Sequence, residues 1–323
     1  MSEFLLQVDH LKTYFPIKGG LLRRTVGQVR AVEDVSVRIR PQEVFALVGE
    51  SGCGKTTVGK SIVRLIEPTG GQVLFDGLDV ARLSLEEMRL KRREMPFIFQ
   101  NPYSSLNPRM NVGQLLSEPL KTHFHLSGSE LDERVEEMLQ TIGLTKDQLL
   151  RYPHQFSGGQ KQRISIARAL ITNPRFVVAD EPLSALDVSI QAQILKLLIR
   201  LQQDMALSMI FISHDLNVVR FISNSVAVMY LGSVMETGDT AEVYAHPCHP
   251  YTSALLGAIP IRDPLLKKKR QALPGEVPNP ADPPSGCPFH PRCSRAQKRC
   301  SEEKPILRDY SGRLLACHYP LEG

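Results

Sequence analysis

No stretch of the 323-residue chain is apolar for long enough to cross a bilayer. Its start, Met1-Ser2-Glu3-Phe4, lacks the charged-then-apolar pattern of a signal peptide. The net charge of +5 is mild and spread out, so it leaves no electrostatic footprint for nucleic acid. These absences leave a soluble cytosolic protein as the expectation. The length suffices for a large core and predicts one main domain plus a smaller one. Cysteine is scarce over most of the chain, yet four of the six fall in the last 37 residues.

What is present is sharply local. The apolar run Val44-Phe45-Ala46-Leu47-Val48 leads into Gly49-Glu50-Ser51-Gly52-Cys53-Gly54-Lys55-Thr56-Thr57 and then a helical pattern. Strand, glycine-rich loop and helix N-terminus together make a P-loop. Backbone N–H groups of such a loop wrap nucleotide phosphates, and the helix dipole favours their charge. Lys55 can reach the β- and γ-phosphates, and the Thr56 hydroxyl can join a Mg²⁺ shell.

Residues 4–11 and 29–39 read as strands, with a long hairpin loop between them carrying Lys18 to Arg24. After the P-loop, Val58, Ile62, Leu65 and Ile66 keep helical spacing until Glu67-Pro68-Thr69-Gly70-Gly71. Gly71 to Asp79 predicts a hairpin turning at Asp76-Gly77. Residues 111–150, with Val135, Met138, Leu139 and Ile142 on one face, predict a helical insertion. Another helix runs from Gln160 to the stop at Asn173-Pro174. Phe176–Ala179 and Met209–Ile212 flank an amphipathic helix, Ile190 to Gln203, which implies a parallel sheet. Val226 to Glu236 reads as a final pair of strands, followed by a proline-rich region and a charged linker, Asp263 to Arg270.

Two further motifs carry chemistry. Asp180-Glu181 ends a buried strand, which in a P-loop fold puts both carboxylates at the rim that faces the nucleotide. Asp180 would hold Mg²⁺ and Glu181 would act as general base on the attacking water. Phe156-Ser157-Gly158-Gly159-Gln160 builds a second anion-binding helix N-terminus. A dimer, in which this loop caps a nucleotide held by the partner's P-loop, uses both.

Gly49–Thr57, Gln100, Ser157–Gln160, Asp180-Glu181, Ser184-Ala185-Leu186-Asp187 and His214 together resemble the nucleotide-binding subunit of an ABC transporter. The resemblance spans essentially the whole chain. It implies an α/β P-loop NTPase with a RecA-like core, an inserted helical subdomain at about 103–173 and a small C-terminal cysteine-rich domain. The expected boundaries are 1–260 and 261–323. It further implies that Gln100 links Mg²⁺ to a transmembrane partner, that Asp187 lies at the dimer interface and that His214 contacts the γ-phosphate. Phe15, with Tyr14 as the fallback, would stack on adenine. The signature begins with Phe156 where the family more often has leucine, which keeps the apolar anchor. A soluble ABC ATPase acting on DNA or ribosomes would bring a long coiled-coil insert or a second ATPase domain, and neither is present. A metal-sensing regulator would need a DNA-reading helix, which is not recognisable.

Asn101-Pro102-Tyr103-Ser104-Ser105-Leu106-Asn107-Pro108-Arg109, His249-Pro250-Tyr251-Thr252 and Leu273-Pro274-Gly275-Glu276 resemble the oligopeptide and dipeptide importer ATPases. The loop between Phe15 and Ala31 looks most like the second ATPase of the pair in such importers; nickel, glutathione and opine importers share much of the pattern. The resemblance implies a paralogous ATPase partner, two permeases and a solute-binding protein, no nucleic acid, and a peripheral place on the cytoplasmic face of the membrane. Cys287, Cys293, Cys300 and Cys317 are separated by five, six and sixteen residues. Disulfides fit a reducing cytosol poorly, zinc prefers closer pairs, and the intervals match no common ferredoxin pattern. The resemblance favours a [4Fe–4S] cluster, with zinc the alternative. Arg292, Arg295, Lys298 and Arg299 are expected to offset the thiolate charge of either; Cys53 and Cys248 look like neither metal's ligands.

Overall fold

The computed structural model describes residues 3–19, 24–259 and 275–322. Gly20–Arg23 of the expected loop, the linker Asp263–Arg270, Leu273-Pro274 and the expected boundary at 260/261 lie outside them. The strands are β1 (Leu6–Gly19), β2 (Arg24–Ile39), β3 (Val44–Val48), β4 (Gly70–Phe75), β5 (Leu78–Asp79), β6 (Phe97–Ile98), β7 (Phe176–Asp180), β8 (Ser208–Ile212), β9 (Ser225–Tyr230), β10 (Ser233–Asp239), β11 (Arg308–Tyr310) and β12 (Arg313–Leu315). The helices are α1 (Lys55–Ile62), α2 (Leu85–Lys91), α3 (Pro102–Ser105), α4 (Val112–Phe124), α5 (Gly128–Thr141), α6 (Gly158–Leu170), α7 (Val188–Asp204), α8 (Leu216–Ile222), α9 (Thr240–Ala245), α10 (Pro250–Gly257) and α11 (Lys298–Glu302). They fall into two compact units: residues 1–39, 44–81 and 213–323 form one, and residues 40–43 and 82–212 the other.

In the first unit the strand order is β5-β4-β1-β2-β10-β9-β3, with β12 pairing β10 and β11. β3 runs parallel to β9. All five β3 residues are buried, as a strand covered on both faces requires. β1 and β2 are longer than the sequence predicts. Their antiparallel register runs from Leu6↔Ile39 to Gly19↔Arg24, so Lys18, Gly19 and Arg24 sit in paired strand rather than loop. Register shifts between Val8 and Leu11, Leu11 and Thr13, and Thr13 and Tyr14 break the two-residue alternation by which a strand is recognised. The Asp76-Gly77 hairpin forms as expected, with φ of +52° and +78°, the signs of a type I′ turn.

α1 ends a turn earlier than its apolar spacing predicts. Arg64 turns left-handed (φ +50°), with its guanidinium held by the Glu67 carboxylate at 3.0 Å. Leu65 is consequently exposed rather than part of a helical face. Nor are β9 and β10 the last strands: β12 adds Leu314 and Leu315 to β10 at Thr237 and Glu236.

Glu236 explains why that addition is stable. Its side chain has no solvent exposure and accepts from the backbone N–H groups of Cys248 and His249, each at 2.9 Å, and from Arg313 Nη1 at 3.2 Å. Arg313, also buried, donates further to the His246 carbonyl at 2.6 Å. A buried carboxylate is tolerable only with such full satisfaction.

The second unit holds the parallel strands β6-β7-β8 and a helical layer. β7 and β8 are wholly buried and joined through α7, whose Ile194, Leu197, Leu198 and Leu201 form its covered stripe. α4, α5 and α6 pack on one another, burying Leu115, Leu116 and Leu120, Val135 and Leu139, and Ile164 and Leu170. Asn173, at φ +50°, ends the last of these segments as expected.

Replacing Glu236 with alanine leaves two buried amides without their acceptor and Arg313 without its buried carboxylate. Global stability should fall by about 3–5 kcal/mol, read from the urea midpoint at constant m-value.

Candidate functional site

In the first unit, the chain leaves β3 at Val48 and curls through Gly49, Gly52 and Gly54, all at positive φ, into α1. The tightness is enforced by neighbouring backbone. Gly54 has φ +103°, and a Cβ there would lie 2.1 Å from the Ala31 carbonyl oxygen. The Cys53 carbonyl accepts from the Gly232 N–H at 2.9 Å, pinning the same turn to the β9–β10 hairpin.

Lys55 folds back over this loop. Its buried Nζ donates to the Gly49 carbonyl at 2.8 Å and to the Glu50 carbonyl at 3.0 Å. The Cys53 sulfur lies 3.7 Å away, and burial pushes that thiol's pKa up, so it stays neutral. A desolvated ammonium inside a ring of amides is a strong anion site. Ser51 and Gly52 at the loop's tip are exposed, while Thr56 and Thr57 are half-buried.

His214 follows β8 and is exposed, beside Ser213, whose hydroxyl accepts from the Asp215 N–H. Phe15 presents an exposed ring from β1. Tyr14 is engaged elsewhere: Arg30 stacks over its ring at 6.0 Å, and burial, then Glu33, raise its pKa. Of the two aromatics, Phe15 is the one with a face to offer.

In the second unit, Asp180 is buried at the end of β7 and Glu181 follows in the left-handed region at φ +43°. Gln100 Nε2 donates to Glu181 Oε2 at 2.8 Å, joining two residues that lie 81 positions apart. The Glu181 N–H donates to the Ile212 carbonyl at 3.0 Å, so side chain and backbone are both anchored.

Ser157 caps α6 with a full capping box: Gln160 N–H donates to Ser157 Oγ, and Ser157 N–H donates to Gln160 Oε1 at 3.0 Å. A Cβ on Gly159 would meet Ile190 Cγ2 at 2.5 Å, so the close approach of α7 requires glycine there. Gly158 lies against Leu186 and Tyr103. Asp187 and Val188 at the start of α7 are exposed.

The four tail cysteines line one pocket with His249, Phe289, His290, Arg295 and His318. Burial pushes the Cys287 and Cys317 thiols up to about 11 and raises Cys293 as well. Among the described residues, no three Cys, His, Asp or Glu side chains stand close enough to share a single metal ion. The nearby cations are committed differently from expectation. Arg292 pairs with Glu50, Lys298 with Glu302 and Arg299 with Glu303, leaving Arg295 as the pocket's basic side chain.

The sequence reading gave Arg292 a different task, countering the thiolates, and gave Tyr251 none. Tyr251 Oη accepts from the Glu50 N–H at 3.0 Å, and only the His249-Pro250-Tyr251-Thr252 motif hinted that this tyrosine mattered.

His249 is fully buried, and its Nδ1 accepts from the Tyr251 N–H at 3.0 Å. Burial pushes its pKa down to about 3, against about 6.5 in an unfolded chain. The unfolded state therefore binds the extra proton, and stability present above pH 6.5 is lost as pH falls toward 3. The thermal midpoint should drop on acidification through that window. His249→Asn, which keeps an acceptor for the helix cap, should flatten the drop; an unchanged profile would remove His249 as its source.

The family described as "ABC transporter" matches residues 32–184, and that described as "Oligopeptide/dipeptide transporter, C-terminal region" matches residues 235–300. The oligopeptide transport ATP-binding protein AppF of Bacillus subtilis is 48% identical over 98% of this chain and 98% of its own. The dipeptide transport ATP-binding protein DppF of Haemophilus influenzae is 46% identical over 98% and 96%. Among solved structures, a dimer of the ATP-binding cassette MJ0796 with ADP and Pi matches at a TM-score of 0.65 and 29% identity. It covers 73% of this chain and 98% of that one.

Proposed function

Because this chain belongs to the ATP-binding subunits of the ABC transporters for oligopeptides and dipeptides, we propose that it hydrolyses ATP to power peptide import. The observation that carries the reading is the intact pairing of chemistry within each unit: Lys55 folded over the P-loop carbonyls, and Glu181 held by Gln100. Its place is peripheral, on the cytoplasmic face of the membrane. The nucleotide-binding domain is residues 1–260, with the helical subdomain at 103–173, and the C-terminal domain is residues 261–323.

Gly49, Ser51, Gly52, Cys53, Gly54, Lys55, Thr56 and Thr57 cradle the ATP phosphates, and Phe15 stacks on adenine. Thr56, Gln100 and Asp180 would hold Mg²⁺, which would supply charge neutralisation to the phosphates. Lys55 and His214 clamp the transferring phosphoryl group. Glu181 takes a proton from the attacking water, and its contact with Gln100 sets the carboxylate's direction. Ser157, Gly158, Gly159 and Gln160 cap the nucleotide of a partner subunit, with Asp187 at that interface. The dimer of MJ0796 and the exposure of Asp187 and Val188 support this arrangement. The partner in the cell is a paralogous ATPase, as the pairing of such importers' ATPases implies.

The two permeases dock on the second unit. A groove there is lined by Phe97, Phe99 and Pro119 with Arg92, Arg93 and Arg168, which mixes apolar and basic side chains. A solute-binding protein delivers cargo to the permeases; nucleic acid has no part.

Cys287, Cys293, Cys300 and Cys317 would hold a [4Fe–4S] cluster, with zinc the alternative. What supports this reading is that the four thiols line one pocket. Raised thiol pKa values mean that loading must release protons, so it should weaken as pH falls.

Glu181→Gln should keep ATP binding but lower phosphate release by about 10²–10⁴-fold. Near-normal turnover would remove Glu181 from the mechanism. Protein purified without oxygen should be brown with about four irons per chain. Colourless protein with stoichiometric zinc would replace the cluster and leave the ATPase reading intact.

A further inference from the structure

The P-loop contains one acid. Between Gly49 and Thr57, Glu50 alone carries negative charge, in a loop whose amides and ammonium are arranged for anions. A free carboxylate there would oppose the phosphates. The structure deals with it through the C-terminal region. Arg292 Nη1 donates to Glu50 Oε2 at 2.6 Å and Arg292 Nη2 to Glu50 Oε1 at 3.1 Å, a two-pronged pair across 242 positions of sequence. Arg292 is only 6% exposed, and Glu50 and Tyr230 hold its guanidinium firmly in the charged form.

The surroundings fix both partners. Tyr230 Oη lies 3.3 Å from Arg292 Nη1, and the rings of Tyr230, Tyr251 and Phe289 pack edge-on or tilted at 4.8–5.3 Å. Tyr251 accepts the Glu50 N–H, and Lys55 donates to the Glu50 carbonyl. Glu50 is thus held at its N–H, its carbonyl and its carboxylate by three different side chains. Arg292 sits on the short turn His290–Arg292, directly before Cys293.

We propose that Arg292 is a positioning residue for the nucleotide site: it neutralises Glu50 and holds the P-loop open to phosphate. The C-terminal region is then part of the ATP-binding apparatus, and a disturbance of the Cys287–Cys293 turn reaches the P-loop through one side chain. Arginine is required because lysine offers no planar fork for both carboxylate oxygens.

The inference rests on ATP being the P-loop's ligand, which the wild-type titration checks by itself. With the full chain, equilibrium binding of a fluorescent ATP analogue is measured for wild type, R292A, R292K, and R292A combined with E50Q. R292A should weaken binding about tenfold or more, with the loss falling on KM more than on kcat. R292K should lie between. The double variant should recover most of the loss, because its Glu50 position no longer carries the charge that needed cancelling. A role in holding the fold alone predicts that affinity changes only as the urea midpoint does, so the midpoint is read for each variant. Should R292A fail to fold, R292K against R292K/E50Q supplies the same comparison. Wild-type affinity in R292A, or a double variant as weak as the single, overturns the proposal; wild type that does not bind overturns the ATPase reading instead.

Discussion

Everything at the nucleotide site depends on a backbone bent so tightly that its amides converge. Such a loop cannot hold its own shape, because the glycines that permit the bend also make it floppy. The rigidity is imported. Ala31 presses on Gly54, Gly232 N–H holds the Cys53 carbonyl, and Lys55 laces the Gly49 and Glu50 carbonyls together. β2, the β9–β10 hairpin and the tail each contribute one wall. A cradle assembled from so many segments is preorganised, which spares binding the cost of ordering it.

Two acids fasten the C-terminal region into this frame, and they do different work. Glu236 is inaccessible and answers to two amides and Arg313, so its role is to weld β12 and the Cys248–His249 turn to β10. Glu50 remains partly accessible and answers to Arg292 from the cysteine-bearing turn. The first contact fixes where the tail lies. The second gives the tail a hand on the site that binds phosphate.

How much of this was legible in the sequence follows from the range of each interaction. The P-loop, the Ser157 cap and the Asp180-Glu181 strand end are written in runs of a few residues, because a tight turn or a capping box is a local solution. The Asp76-Gly77 hairpin was legible for the same reason. The length of β1 was not, since bulges near Leu11 and Thr13 scramble the alternation that marks a strand. The early end of α1 was hidden as well: Leu65 and Ile66 keep helical spacing, and it is Arg64, captured by Glu67 and the Val80 carbonyl, that stops the helix. Arg292 looked like a counter-charge for thiolates because its neighbour is Cys293. Only the folded chain shows that its true partner is 242 positions away.

The Ser157 loop illustrates a subtler division of labour. Ser157 and Gln160 satisfy one another, so Ser157's hydroxyl and the third helical amide are already engaged. The amides of Gly158 and Gly159 lie outside that exchange, at the positive end of a 13-residue helix. In the proposed dimer the box would not compete with an incoming phosphate; it stiffens the turn that presents those two amides. Gly159 is buried, and Ile190 allows no side chain there, so the close approach of α7 fixes the residue. Helix packing imposes glycine there, on a turn that the proposed dimer would also use for anion recognition. A substitution at Gly159 would disturb both at once, and its effect alone could not tell them apart.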